Sequence, residues 1–284
     1  MSKVLVGLDI GASKIIAASA DENGHIIKRE RAATPLPLDK GLALIDDMIH
    51  AVTEGAQIAG IGAAVAGPLD SVSGVVSPLH LPEWRDIPLK RIMETRYLCR
   101  FTVDVDCNLA ALAEYHHAAE KPSRMLYLTI STGLGGGFII DGEIYRGMNG
   151  WHPEVGHHSV PYRLNHRRTV ACPCGSNGCL EALVSASGIK RLYRKQPEDL
   201  SADEWEEVAF NLGQGLRNLA VIYLPNVIIV GGSVAFGARE SLLNPAAQIM
   251  RDHLKIVPHP RVCASELGEH NILNGAIHLA LRNI

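Results

Sequence analysis

The 284-residue chain has no apolar run long enough to span a bilayer, so no membrane partner is expected. It has no lysine or arginine cluster, and its formal net charge is −3. Nucleic-acid binding rests on cations that neutralise phosphates, so no nucleic-acid partner is expected either. The Gly-Lys-Ser/Thr signature of a P-loop is missing. A Rossmann fingerprint is missing as well, because each glycine-rich turn joins strand to strand rather than strand to helix. No low-complexity linker divides the chain. Met1-Ser2-Lys3 leads straight into Val4-Leu5-Val6-Gly7-Leu8-Asp9, too short and too soon acidic for a secretory signal. The expected compartment is the cytoplasm.

What is present suits a folded α/β protein. Hydrophobic residues make up 47% and charged residues 20%, ordinary values for a globular chain, and the length allows one large or two medium domains. An apolar strand, Val4 to Ile10, meets the turn Gly11-Ala12-Ser13 and continues as a strand from Lys14 to Ala20. Asp21-Glu22-Asn23-Gly24 reads as a hairpin turn into a third strand from His25. Leu42, Ile45, Ile49 and Val52 recur at helical spacing, and Gly55 ends that helix. Strands are predicted at Ile58 to Val65 and Phe101 to Val105, then a helix from Asn108 through Glu120.

At Met125 the pattern begins again. A strand to Ile130 meets Ser131-Thr132-Gly133-Leu134-Gly135-Gly136-Gly137, a second strand runs Phe138 to Ile140, and Asp141-Gly142 turns into a third. Helical patterns follow around Ala202 to Leu224, and a strand at Val227 to Val230 ends in Gly231-Gly232-Ser233. A three-strand opening with glycines in its first turn thus occurs twice, which predicts two related α/β domains around a cleft. The expected limits are 1–107 and 108–270, with a hinge near Asp106 and residues 271–284, helical at Leu273 to Leu281, packing back on the first domain.

Three features could carry chemistry. A glycine-rich turn between strands can aim successive backbone N–H groups at an anion, because no Cβ blocks the approach. Ser13 and Thr132 add hydroxyl donors, and Asp9 is placed to hold a metal ion directly or through water. Second, of six cysteines, Cys99, Cys107 and Cys263 sit among apolar neighbours as small buried side chains, whereas Cys172, Cys174 and Cys179 crowd one stretch. Cys172 and Cys174 are too close to bridge each other without strain, yet their thiolates can reach one ion, and Cys179 adds a third. Zinc takes four such ligands in a tetrahedron. Third, Asp104 and Asp106 flank the end of an apolar strand, where a carboxylate facing a cleft could take a proton from a hydroxyl.

Asp9-Ile10-Gly11-Ala12-Ser13-Lys14, the Ser131 to Gly137 turn, Glu154-Val155-Gly156-His157 and Cys172-Pro173-Cys174-Gly175-Ser176-Asn177-Gly178-Cys179-Leu180-Glu181 follow in that order. Together they resemble the ROK family of bacterial sugar kinases and related repressors. The resemblance implies an actin-like, ribonuclease-H-like pair of domains and an ATP-dependent kinase acting on the primary hydroxyl of a hexose or N-acetylhexosamine. It also implies Mg²⁺, a structural Zn²⁺ and a homodimer. Asp106 is the implied catalytic base, since Asp106-Cys107-Asn108-Leu109-Ala110-Ala111-Leu112-Ala113-Glu114 resembles the family's catalytic run. Glu154, His157, Glu181, Gly67 and His80 are the implied sugar contacts besides Asp106. Asp9, Gly11, Ala12, Ser13, Lys14, Thr132, Gly133, Gly231 and Gly232 fall to the nucleotide and its phosphates. His157 is the implied fourth zinc ligand beside Cys172, Cys174 and Cys179, with His158 its competitor.

Departures from the family pattern stand out at four places, with His80 and Glu83 in one segment. Val105 and His80 replace asparagines, Glu83 replaces glycine, His152-Pro153 replaces a small pair, and Ala12 replaces the second glycine of the first turn. A site built to bond one hydroxyl discriminates strongly, so these changes predict an altered sugar preference, such as allose or N-acetylmannosamine. A repressor would need a DNA-binding segment before the first phosphate strand, which starts here by Val4. A catalytically inactive sugar sensor is the alternative.

Overall fold

The computed structural model describes residues 3–164 and 169–282. It divides into two compact units. One comprises the chain up to Ala113, residues Arg146–His152 and the chain from His270; the other comprises Glu114–Tyr145 and Pro153–Glu269.

In the first unit β1 (Lys3–Ile10), β2 (Lys14–Ala20) and β3 (Ile26–Ala33) form an antiparallel meander, with α1 (Leu38–Thr53) leading to β4 (Gln57–Val65). A small three-stranded sheet follows, β5 (Leu69–Asp70), β6 (Val75–Val76) and β7 (Ile87–Pro88), then α2 (Leu89–Tyr97), β8 (Arg100–Val105) and α3 (Asp106–His117). The main sheet has the order β3-β2-β1-β4-β8, and β4 and β8 run parallel to β1 and to each other. Strands covered on both faces read as continuous apolar runs rather than alternations, as the buried Val4, Leu5, Val6, Leu8 and Ile10 of β1 do. Val6, Leu8 and Ile10 join Leu42, Ile45, Ile49 and Val52 of α1 in one core. The helix stops where Glu54 and then Gly55 turn left-handed.

The second unit repeats the plan with β9 (Arg124–Ile130), β10 (Leu134–Ile140), β11 (Glu143–Ile144), α4 (Leu180–Val184), α5 (Ala186–Tyr193), α6 (Ala202–Tyr223), β12 (Val227–Gly231), α7 (Ser233–Gly237), α8 (Asn244–His253) and β13 (Arg261–Ala264). Its sheet order, β11-β10-β9-β12-β13, matches the first, with β12 parallel to both β9 and β13. A capping box between Ser201 and Glu204 opens α6. Most element ends fall within two residues of the sequence-based limits, and two differ by more. The second strand begins at Leu134 rather than Phe138, because Gly135, Gly136 and Gly137 pair with β9. The helix α3 ends at His117 rather than Glu120, where the Lys121 ammonium donates to the carbonyls of Tyr115, His116 and Ala118.

The closing helix α9 (Asn271–Leu281) packs on the first sheet, its Leu273, Ile277 and Ala280 clustered with Leu5, Ala18 and Ala20. Gly62 makes this approach feasible: a Cβ there would stand 1.9 Å from the Ala276 carbonyl oxygen. Among the described residues no helix is long and apolar enough to cross a membrane.

Candidate active site

In the first unit, register brings the site residues together. Asp9 pairs with Ala64 and Ile10 with Val65, while Val65 pairs with Val105. The carboxyl ends of three parallel strands therefore present Asp9 and Gly11, then Gly67, then Asp106 along one edge, where ligands of open α/β sheets bind. Gly67 and Val105 are close: a Cβ on Gly67 would lie 3.8 Å from Val105 Cγ1 and the same distance from His152 Cε1. The Leu79 N–H donates to the Gly67 carbonyl at 3.3 Å, which carries the exposed His80 alongside; Glu83 is exposed as well.

The first glycine turn is closed by the Gly11 N–H donating to the Lys14 carbonyl at 3.0 Å. From β3's end, the Thr34 hydroxyl donates to the Gly11 carbonyl at 2.6 Å and its N–H to the Ser13 carbonyl at 3.2 Å. Ala12 and Ser13 are exposed at the tip. Ala12 has an ordinary backbone conformation, so the turn tolerates its methyl group. Burial pushes the Asp9 carboxyl up to about 6, the nearby charge of Asp106 adds to this, and Lys14 opposes it.

The two rival aspartates differ in their surroundings. Asp104 is 1% exposed. Its Oδ1 accepts from the Val105 N–H at 2.7 Å and from Asn108 Nδ2 at 2.9 Å, and its Oδ2 pairs with Arg146. Both of its carboxylate oxygens are engaged within the fold. Asp106, half-buried, opens α3, and its Oδ1 accepts from the Cys107 N–H at 2.7 Å.

In the second unit the turn Ser131-Thr132-Gly133 leads into β10, and Glu181 Oε2 accepts from the Leu134 N–H at 3.0 Å. A Cβ on Gly133 would sit 2.8 Å from that same oxygen. The N–H groups of Ala186 and Ser187, at the start of α5, donate to the carbonyls of Ser131 and Thr132 at 2.8 and 3.2 Å. Gly231 and Gly232 lie against β9: a Cβ on the first would meet the Tyr127 hydroxyl at 2.4 Å, on the second the Ile130 carbonyl at 2.4 Å. Beside them opens a cavity of about 420 Å³ lined by Ala186, Pro197, Trp205, Ser233, Val234 and Gly237. A larger cavity, about 1010 Å³, lies where β9, β12 and β13 begin, and none of the sequence-predicted site residues lines it.

Cys172, Cys174, Cys179 and His157 converge, their ligand atoms all within 4.8 Å of one another. A hairpin folds the chain back through the left-handed Gly175 and Gly178. Cys172 Sγ is 3.6 Å from His157 Nδ1, and Cys174 Sγ is 3.6 Å from Cys179 Sγ. Ligands at 2.3 Å from a tetrahedral centre stand about 3.8 Å apart, so the four residues fit zinc. His158 lies outside the cluster: its Nδ1 is 2.7 Å from the Val155 carbonyl, and its buried Nε2 has no partner. Glu154, just before His157, is exposed. The short turn Val155–His157 packs on β10 because Gly136 and Gly156 carry no side chain; a Cβ on Gly156 would come within 2.2 Å of the Leu134 carbonyl oxygen.

Arg146 was not legible as a site residue. Only its position after the third strand of the repeat marks it, and its partner lies 42 residues earlier.

A sequence model of the ROK family matches residues 5–283. A glucokinase of Streptomyces coelicolor is 30% identical, the alignment covering 97% of this chain and 96% of that protein. A xylose repressor of Caldicellulosiruptor bescii is 29% identical over 99% of this chain and 78% of its own length. Among solved structures, the ROK hexokinase of Thermus thermophilus superposes with a TM-score of 0.80 at 30% identity, covering 98% of this chain and 97% of that one. The ROK glucokinase of Streptomyces griseus, in complex with glucose and AMPPNP, gives 0.79 at 29% identity, covering 98% and 99%. The fold is the actin-like α/β duplication, and the chain belongs to the ROK family.

Proposed function

We propose that the protein is an ATP-dependent sugar kinase that phosphorylates the primary hydroxyl of a hexose or N-acetylhexosamine, with Asp106 as catalytic base. The observation that carries this reading is the contrast between two nearby carboxylates: Asp104 is buried and paired with Arg146, while Asp106 is half-buried at the carboxyl edge with Asp9 near it. The Asp106 carboxylate would take the proton of the sugar alcohol as its oxygen attacks the γ-phosphorus and the bond to the β–γ bridging oxygen breaks, releasing ADP. General-base assistance of this kind contributes roughly 10²–10⁴ in rate, and the rest falls to positioning and charge neutralisation.

Backbone donors of the Gly11-Ala12-Ser13 and Thr132-Gly133 turns would meet the phosphates, with Lys14 adding charge. The cavity beside Gly231 and Gly232 suits the adenosine. Asp9 would hold Mg²⁺, which neutralises phosphate charge when bound. Glu154, His157 and Glu181 would bond the sugar hydroxyls, with Gly67 and His80 beside the ring. Zinc on His157, Cys172, Cys174 and Cys179 would fix the loop that carries these groups and take no part in the transfer.

The buried, apolar Val105 beside Gly67 supports a preference for an epimer of glucose or an N-acetylhexosamine. A coupled assay with ATP and Mg²⁺ over a hexose panel tests the reading. We expect turnover of at least one sugar, lowered about 10²–10⁴-fold by Asp106→Asn with sugar binding retained. Sugar binding with no turnover in folded, zinc-loaded protein would favour the sensor instead.

A further inference from the structure

Residues 146–152 belong to the first unit, although the chain on either side of them belongs to the second. This strap keeps its shape through its own backbone: the Gly147 N–H donates to the Trp151 carbonyl at 2.7 Å, and the Trp151 N–H to the Met148 carbonyl at 3.2 Å. Its first residue, Arg146, pairs with Asp104, and near its other end His152 reaches Gly67 at the sugar edge.

Asp104 is more than the partner of an arginine. Its second oxygen holds the Val105 N–H at the end of β8 and the Asn108 side chain in the first turn of α3. Asp106 lies between those two attachment points. Both Asp104 and Asn108 are buried, and a buried carboxylate keeps its charge only when a cation and donors surround it. Arg146 supplies the cation. Without it, Asp104 would be a buried charge lacking its counter-ion, and both the helix start and the strap would lose their common anchor.

We propose that Arg146 is a positioning residue for the transfer: through Asp104 it fixes the first turn of α3, and with it the Asp106 carboxylate, and it seats the strap that brings His152 to Gly67. The proposal rests on the kinase reading above. It predicts a joint effect on sugar binding and on turnover from a residue that touches neither substrate.

The test is steady-state kinetics of Arg146→Gln, with the sugar that the wild-type protein phosphorylates and concentrations corrected for folded fraction. We expect kcat to fall by about tenfold or more and the sugar KM to rise several-fold, since small misplacements of reacting groups are costly, while the KM for ATP stays within about twofold. Arg146→Lys, which keeps the charge but not the planar fork, should recover part of both losses. A merely structural role would lower the melting temperature and leave kcat and sugar KM of the folded fraction where they were; that result overturns the proposal. So does Arg146→Lys behaving no better than Arg146→Gln. If Arg146→Gln does not fold, Asp104→Asn gives the same decision, because it keeps the size and the Oδ1 acceptor while the oxygen that meets Arg146 becomes an uncharged NH2 that cannot accept from it. A wild-type protein that turns over no sugar counts against the kinase reading itself, whereas a working enzyme with unmoved variants counts against Arg146 alone.

Discussion

Asp9 and Asp106 are electrostatic neighbours: burial first, and then the charge of Asp106, hold the Asp9 carboxyl at about 6, with Lys14 offsetting part of the rise. A carboxyl raised in the folded state binds its proton more tightly there than in the unfolded chain. Stability from this group therefore falls as pH rises between about 4 and 6 and is level above. The cost of the ionised form amounts to at most about 3 kcal/mol. Asp9→Asn should accordingly match the wild type in melting temperature near pH 3.5 and exceed it above pH 6, while losing transfer activity. Thermal melts across that range check it. An Asp9→Asn protein less stable than wild type at pH 7.5 would show that the carboxylate is already compensated. A cation bound with nucleotide would supply that compensation, so Mg²⁺ with ATP should raise the wild-type melting temperature more above pH 6 than below it.

Zinc content should be one ion per chain and should follow the ligand set that the geometry singles out. His157→Ala and Cys179→Ser should lose the metal, and His158→Ala should keep it, since His158 lies outside the four-ligand cluster. Structural zinc sites contribute on the order of 10 kcal/mol to local folding. Stripping the ion with a strong chelator should thus expose the Cys172 to Cys179 hairpin to protease and to amide exchange while leaving the core of β1 and β4 protected. Metal analysis of the three variants, beside exchange measurements with and without chelator, decides this. Retention of zinc by His157→Ala together with its loss from His158→Ala would reverse the assignment.

Much of the architecture could be read before any coordinates, because the fold is a duplication. The run Val4 to Ile10, its glycine turn and its antiparallel return reappear at Met125, and the two sheets have the same order. Element ends are less legible where glycines read as turn: Gly135 to Gly137 are strand, and at Gly136 the missing side chain serves the close packing of Val155 on β10. The strap was invisible. Residues 146–152 carry no periodicity, and what assigns them to the first unit is tertiary contact such as the ion pair with Asp104, formed across 42 residues of sequence. Asp104 and Asp106 show the same limit. Local sequence offers both at a strand's end, and their difference in burial, one buried and paired with Arg146, the other half-buried, emerges only in the fold.

Gly62 is expected to be intolerant of the smallest side chain. Its missing Cβ would overlap the Ala276 carbonyl at 1.9 Å and crowd the Ala280 N–H at 2.9 Å. Both groups are backbone, so relief requires lifting α9 from β4. Overpacking of this kind typically costs about 1–3 kcal/mol and more when backbone must move. Gly62→Ala should therefore lose several kcal/mol in denaturant unfolding. Gly237→Ala, where nothing lies within 4 Å of the added carbon and the backbone is ordinary, should change stability little. Equal midpoints for the two variants would mean that α9 does not seat on the sheet as described.

Glu181 ties the proposed sugar contacts to the turn proposed to meet the phosphates in the second unit. Its Oε2 accepts the Leu134 N–H at the point where Thr132-Gly133 enters β10. Leu134 is buried, and a buried N–H left without an acceptor costs about 1–3 kcal/mol, so the turn would shift to find another partner. Glu181→Ala should then raise the KM for ATP as well as that for sugar. The bonds from Ala186 and Ser187 to the carbonyls of Ser131 and Thr132 hold the turn from its other side and limit the ATP effect to about 3–10-fold, near 1 kcal/mol. Glu181→Gln keeps an oxygen for Leu134 but loses the charge offered to the sugar. It should raise the sugar KM while leaving that for ATP within about twofold, because neutral hydrogen bonds are weaker than charge-assisted ones. Measured side by side, the two variants separate the roles of the carboxylate. An unchanged KM for ATP in Glu181→Ala would leave Glu181 with the sugar alone.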